Sequence, residues 1–416
     1  MRRSRRRWKP IPQNLTVVGV DVAKRANVAV AQLGEGWTAK PLTFTNDREG
    51  FASLWQYCQG AVKEGNFEGF VVAYEPTGHY GDPLVEWLHT REVPLYQVQP
   101  LHTKRAKVLY DGTWRKTDAK DAELIADLCR QGKCKPYRPV RGVFLELRVL
   151  GREREQLVKR RSQVLNRLHR HVDVLFPELL QHFSELTGAG ALWWLETAPS
   201  PAETLQKRRR SLVEGLRKVT RGQLKDARVD AIRSSAQMSV GVQEGASTHS
   251  TVIRSTVWEL RLLDQRLDAI EAEMVGRLDQ VDYAATLLTI PRLGAVTLAI
   301  LLGEFGDLRR YGHVRQLLSM AGLDLVEVKS GETPRGEPGR VLSRRGRRYI
   351  RQILYLAALR LGWNVLAEPR RRLLEDSKKP PMKAVVANMC RLVRIFFAMV
   401  RDGASFDPTR WEPAMT

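Results

Sequence analysis

Apolar and polar positions along the first 140 residues alternate in a way that predicts short strands separated by helices. Leu15–Lys24 is a β-branched run that ends on Asp21, and it reads as a strand. Residues 27–33 and 40–44 read as two further strands, paired through turns at Lys24-Arg25-Ala26 and Gly34-Glu35-Gly36. A helix is predicted over 47–62. A fourth strand over Gly69–Glu75 is again apolar until it ends on a carboxylate. A helix near 81–90 and a short strand over Pro94–Val98 follow. From Asp118, apolar Ala122, Ile125, Ala126 and Leu128 recur at helical spacing. Strands alternating with helices in this order predict an α/β domain.

The pattern changes after residue 143. Leu157, Val164, Leu168, Val172 and Leu175 recur at coiled-coil-like spacing and Pro177 closes the run. Leu260, Leu263, Leu267, Ile270 and Met274 form a heptad seam. The two helices can pair within one chain, antiparallel, or between chains as a dimer device. The stretch 178–250 predicts a small helical insertion and a mobile loop near 234–250. Further on, Leu287–Thr297 predicts two apolar helices joined by a Pro-x-x-Gly turn, in the manner of a helix-hairpin-helix element. The parts are thus a basic arm (1–14), an α/β domain (15–140), a coiled-coil region with its insertion (141–283) and a mainly α C-terminal domain (284–416).

Composition sharpens the question of partners. The 416 residues carry 68 Lys+Arg against 46 Asp+Glu, a net charge of +22. Such a field attracts polyanions, with nucleic acid ahead of an anionic membrane. No apolar run is long enough to span a bilayer, and no hydrophobic segment follows the basic N-terminus as in a secretory signal. Cys58, Cys129, Cys134 and Cys390 form no zinc pattern and are expected to be reduced thiols of a cytoplasmic protein.

The candidate chemistry lies in two places. Asp21 and Glu75 end separate strands, and Asp118 and Asp121, three apart, share one face of a helix. Buried strands seldom end on unpaired carboxylates, so the four acids are candidates to converge on one or two hard divalent cations. Two such ions serve phosphodiester cleavage or transfer. The structural alternative is that Asp21 and Glu75 cap strand ends, and that Arg115, Lys116 and Lys120 neutralise the helical pair. The second place is the arginine-rich stretch 340–351. Its six arginines (Arg340, Arg344, Arg345, Arg347, Arg348, Arg351) predict a phosphate-tracking groove, as do Arg335, Lys116 and Lys120 elsewhere. A serine facing such a cluster can act as a phosphoryl-transfer nucleophile. The residues alone do not choose between Ser330 and Ser343.

These motifs carry a resemblance. Gly19–Lys24, Tyr74–Gly78 and Lys116–Ala122, with their spacing, resemble the RuvC-like Asp-Glu-Asp-Asp domain of insertion-sequence transposases of the IS110 family. Ala321-Gly322-Leu323, Lys329-Ser330-Gly331, Pro334-Arg335-Gly336 and Leu342–Gly346 are similar to the C-terminal transposase domain of that family. The likeness covers about 15–175 and 255–410. A longer loop over Gly331–Arg340, and Pro334 where small polar residues are common, depart from the pattern.

The resemblance implies an RNase H-like domain whose Asp21, Glu75, Asp118 and Asp121 bind Mg²⁺, and a catalytic serine at Ser330. It implies a DNA transposase that cuts and rejoins donor and target DNA through a serine-linked phosphodiester. A structured bridge RNA encoded beside the gene would guide it, and a coiled coil would take part in assembling a dimer or tetramer. Two other readings compete. In one the chain is a RuvC-type metal nuclease acting on branched DNA without a serine nucleophile. In the other it is a non-catalytic basic protein that scaffolds RNA.

Overall fold

A computed structural model describes residues 10–34, 36–76, 78–110, 117–224, 226–328, 339–362, 367, 371, 374–375 and 380–411. Most of the basic arm, Lys116, Ser330 and Arg335 lie outside the described residues. The chain divides into two compact units, Met1–Pro139 and Val140–Thr416.

The first unit is a mixed sheet flanked by helices, as the α/β expectation requires. Its strands are β1 (Leu15–Asp21), β2 (Ala26–Gly34), β3 (Trp37–Thr38), β4 (Leu42–Thr45), β5 (Gly69–Tyr74), β6 (Leu95–Val98) and β7 (Cys134–Tyr137). Its helices are α1 (Arg48–Glu64), α2 (Asp82–His89), α3 (Pro100–Tyr110) and α4 (Asp118–Arg130). The strand order is β3-β2-β1-β5-β6-β7, with β4 on β2. β2 runs antiparallel to β1, whereas β5 and β6 run parallel to it. β1 has five consecutive buried residues because both sheet faces are covered, one by α1 and α2 and the other by α4.

Gly19 explains how closely α4 lies on β1. A Cβ there would stand 2.0 Å from the Ala122 carbonyl oxygen and 2.7 Å from the Ala126 nitrogen. Hence the helix backbone rests directly on the strand, and only glycine permits that approach.

The second unit is mainly helical. Two 33-residue helices, α5 (Val143–Leu175) and α10 (Ala246–Leu278), pack on each other within one chain. Arg154 pairs with Glu271, Arg161 with Asp264, Arg167 with Glu259 and Arg277 with Glu146. Residue numbers rising on one helix as they fall on the other make the pair antiparallel. The predicted seam residues Leu260, Leu263, Leu267 and Met274 are buried, as are Leu157, Val164, Leu168, Val172 and Leu175 opposite. These ion pairs are partly exposed to solvent, so they fix register more than they add stability.

Between the two long helices lie α6 (Ala189–Thr197), α7 (Pro201–Gln206), α8 (Arg209–Val219) and α9 (Asp226–Gln237). They bury Trp194, Leu212, Leu216 and Ile232 against one end of the pair. The mobile loop expected near 234–250 is mostly helix, with only 238–245 between α9 and α10. That segment is stitched down: Ser239 Oγ donates to Glu178 at 2.6 Å and the Val242 amide to the Val174 carbonyl at 2.9 Å.

The opposite end of the pair shares a core with α11 (Ala284–Leu288), α12 (Ala295–Phe305), α13 (Val314–Ala321), α14 (Arg348–Leu361) and α15 (Pro381–Asp402). Residues 287–297 run from the end of α11 through a turn containing Pro291 and Gly294 into the start of α12. α12 is buried from Leu298 to Phe305, which makes it the central helix of this core. A hairpin of β8 (Leu325–Val328) and β9 (Gly339–Leu342) leaves the core between α13 and α14, in register Val328↔Gly339.

Candidate active site and nucleic-acid interface

Parallel pairing brings Asp21 and Glu75 together. Val20 lies opposite Tyr74 in the β1–β5 ladder, so the next residue of each strand emerges at the same sheet edge. The Asn27 side-chain oxygen accepts the Ala23 amide at 3.0 Å, fixing the turn that follows Asp21. The Gly19 contact brings the first turn of α4 over the same edge. Thr117 caps that helix, accepting the Lys120 amide at 3.4 Å, and Asp118 and Asp121 occupy its first turn. Carboxylates there also complement the helix dipole.

Three of the acids act on the fourth. The Asp21 carboxyl is pushed up from 3.8 to about 6, chiefly by burial and then by Asp121, Asp118 and Glu75. Lys107 of α3 opposes the shift and binds Asp121 Oδ2 at 2.8 Å. Among the described residues no three acids, histidines or cysteines stand close enough to hold one metal ion. The donor set nevertheless suits a hard divalent cation, since it is all oxygen and gathers four carboxyl groups at one edge. Lys107 was not legible as a site residue, because nothing in its neighbourhood distinguishes it from Lys104 or Arg105. Lys120 is half-buried on α4, where it acts on Glu123.

The foot of the β8–β9 hairpin is the second region. Its backbone is tied to the end of α13 by three amides: Ser343 to Asp324 O at 2.7 Å, Arg344 to Gly322 O at 3.2 Å, and Arg347 to Met320 O at 2.8 Å. A Cβ on Gly346 would lie 2.1 Å from the Gly322 nitrogen, so two backbones cross there in contact.

The arginines divide by direction. Arg347 donates to the Glu304 carbonyl at 2.6 Å and to its carboxylate at 3.2 Å. Glu304, 1 % exposed, also receives Arg152 of α5. Arg351 donates to the carbonyls of Ala321 and Gly346, each at 3.0 Å. Both therefore serve the fold as well as its charge, a use that a count of arginines does not reveal. Arg344, Arg345 and Arg348 are exposed, and no carboxylate among the described residues pairs with them. Arg340 lies on β9 opposite Glu327. Ser343, the alternative to Ser330, sits in the hydrogen-bonded foot itself.

An acidic cluster at a sheet edge and a basic, hydrogen-bonded foot on a helical unit define a protein equipped to handle nucleic acid. Comparison with known proteins makes this specific. Residues 18–177 match the family described as "Transposase", of the DEDD type of IS110, and residues 284–370 match "Transposase IS116/IS110/IS902 family". A 43.6 kDa protein of insertion element IS110 of Streptomyces coelicolor is 28% identical over 315 residues, covering 74% of this chain and 76% of that one. The 44.8 kDa protein of insertion element IS116 of Streptomyces clavuligerus is 25% identical, over 94% of this chain and 96% of that one. A pilin gene-inverting protein of Moraxella lacunata is 22% identical, over 94% and 98%. A solved structure, "T. thermophilus RuvC in complex with Holliday junction substrate", aligns over 30% of this chain and 99% of its own. Its identity is 15% and the TM-score 0.22. The chain belongs to the IS110 family of transposases, and it is an enzyme that acts on DNA. No helix among the described residues is long and apolar enough to cross a membrane.

Proposed function

We propose that this transposase is a divalent-metal-dependent recombinase whose RNase H-like unit holds Mg²⁺ through Asp21, Glu75, Asp118 and Asp121. The observation that carries the reading is the convergence of these four acids from two parallel strands and one helix, with Asp121, Asp118 and Glu75 all raising Asp21. Bound there, the metal would supply Lewis-acid stabilisation of a phosphodiester transition state. The chain's own part is to gather negative charge at one edge and to hold it by the β1–β5 register and the α4 contact. Closing the carboxylates to ligand distance would accompany binding.

In the same reading Ser330 attacks a DNA phosphodiester. Its Oγ–P bond forms as the P–O bond to the leaving strand breaks, the proton passing to base or solvent. Rejoining reverses the step with a new strand hydroxyl. The inversion reaction named for the Moraxella relative, and the family's paired domains, support cutting with rejoining over cutting alone. A bridge RNA paired with donor and target DNA would deliver specificity, with the +22 charge supplying affinity to phosphates. Self-association as a dimer or tetramer would complete a site whose acids and serine lie in different units. With the α5–α10 seam filled within one chain, such self-association would use a surface other than that seam.

The test is covalent trapping. Purified protein and RNA transcribed from its native flank meet labelled donor and target DNA in Mg²⁺, followed by a denaturing gel and peptide mapping. A DNA-linked peptide containing Ser330, absent in Ser330→Ala and in Asp121→Ala, is the expected result. Free cleaved ends, unchanged in Ser330→Ala, would leave a metal nuclease in its place. Equal yields with and without the RNA would remove the guide.

A further inference from the structure

Six arginines within 340–351 do not act as one patch, because a buried carboxylate sorts them. Glu304 sits at the end of the buried helix α12 and is 1 % exposed. It binds Arg152 of α5 and Arg347 just before α14, while its carbonyl accepts Arg347 at 2.6 Å and Arg148 at 3.0 Å. Tyr349 Oη donates to the Gly151 carbonyl at 3.0 Å, a second tie from the same segment to α5. The turn between β9 and α14 is thus fixed on one side by the Gly322–Gly346 crossing and on the other by Glu304. Arg344 is held at φ +52°, a left-handed conformation that a non-glycine residue adopts only when its surroundings impose it. Arg344, Arg345 and Arg348 are exposed on this turn.

We propose that residues 343–348 form a preorganised clamp for one nucleic-acid backbone, with Arg344, Arg345 and Arg348 on phosphates and Glu304 as the positioning residue that acts through Arg347. Three guanidinium groups on a backbone with little freedom lose less entropy per phosphate contact than three on a loose loop. The clamp is indifferent to base, and its partner is any strand carrying consecutive phosphates. This rests on the reading that the protein binds nucleic acid.

Glu304 gives the proposal an outcome opposite to simple electrostatics. Replacing it by Gln removes a negative charge near a phosphate-binding surface, which by Coulomb attraction alone tightens binding. If Glu304 positions the clamp, Glu304→Gln weakens binding instead.

The experiment measures affinity of the full chain for a fluorescent random-sequence duplex across a salt series, with thermal unfolding confirming that each variant is folded. Arg344→Ala, Arg345→Ala and Arg348→Ala are each expected to lower the slope of log K against log salt by about 0.9, the value for one phosphate contact. Arg401→Ala, whose arginine pairs with Asp402 on α15, should leave the slope unchanged. Glu304→Gln should weaken binding roughly threefold or more. Arg347→Met should do the same, and the double variant should lose no more than the worse single, as coupled residues require. Tighter or unchanged binding in a folded Glu304→Gln overturns the positioning role. If that variant does not fold, Arg347→Met decides in its place, an unchanged affinity counting against the role. A triple Arg344/Arg345/Arg348 variant with an undiminished slope overturns the clamp. Wild-type protein that fails to bind the duplex even at low salt would overturn nucleic-acid binding itself, a failure distinguishable from the other two.

Discussion

The acidic edge of the first unit and the basic foot of the second are built by the same device and end with opposite needs. In each, a glycine lets two backbones touch: Gly19 under Ala122 and Ala126, and Gly346 against Gly322. In the acidic edge, among the described residues, Lys107 is set against Asp21 and Asp121 while Asp118 and Glu75 add to the negative charge. In the foot one buried carboxylate, Glu304, takes up arginines on the inside and leaves others outside. The first surplus calls for a cation and the second for a polyanion. Close backbone contact makes a site rigid, and the sign of the surplus selects its ligand.

The comparison breaks most visibly at its acidic side. Asp121→Asn is expected to lower DNA strand cleavage by about a thousandfold, the several kcal/mol that metal stabilisation supplies. Its thermal stability should change little, because relief of the repulsion with Asp21 offsets the lost pair with Lys107. A variant that merely unfolds would show both losses together.

Next come the two crossing points. Gly19→Val and Gly346→Val each force a side chain to within about 2 Å of backbone atoms. Each should cost about 3 kcal/mol or more in denaturant unfolding, beyond ordinary overpacking. A loss below about 1 kcal/mol in either would show that the backbones can separate cheaply, and would end the parallel between the regions.

A smaller effect concerns pH. Asp21 has a folded pKa of about 6, raised from 3.8. The folded state therefore holds this proton more tightly than the unfolded state, so the contribution to stability is complete below pH 3.8 and is lost as pH rises through 6. A cation competes with that proton. Mg²⁺ should raise the melting temperature at pH 8 and hardly at all at pH 5, with apparent affinity falling about tenfold per pH unit well below 6. An equal Mg²⁺ shift at both values would place the ion elsewhere. Smallest of all, Arg161→Ala should cost about 0.5 kcal/mol, because its pair with Asp264 is one-third exposed on both sides.

Much of this was legible in the chain. Strands ending on Asp21 and Glu75 and the helix bearing Asp118 and Asp121 follow from periodicity and from where an apolar run stops. The antiparallel helix pair was one of the pairings the heptad seam left open. What sequence could not supply was direction. Arg347 and Arg348 are neighbours, yet one turns to a buried carboxylate and the other to solvent. That choice depends on Glu304, 43 residues away, and nothing in the periodicity of α12 marks its glutamate as the partner. Lys107 was missed for the same reason, since only tertiary packing of α3 brings it to Asp121. The β7 strand was missed because Cys134–Tyr137 is four residues long and contains a proline, which an edge position tolerates.

The antiparallel helix pair also has a mechanical consequence. At 33 residues each, α5 and α10 are about 50 Å long, with the α6–α9 cluster at one end and the core that carries the hairpin at the other. Glu304 is fastened to Arg148 and Arg152 near the near end of that rod. The α6–α9 cluster and the foot of the hairpin are thus two stations on one rod, each packed against its own end of the same helix pair.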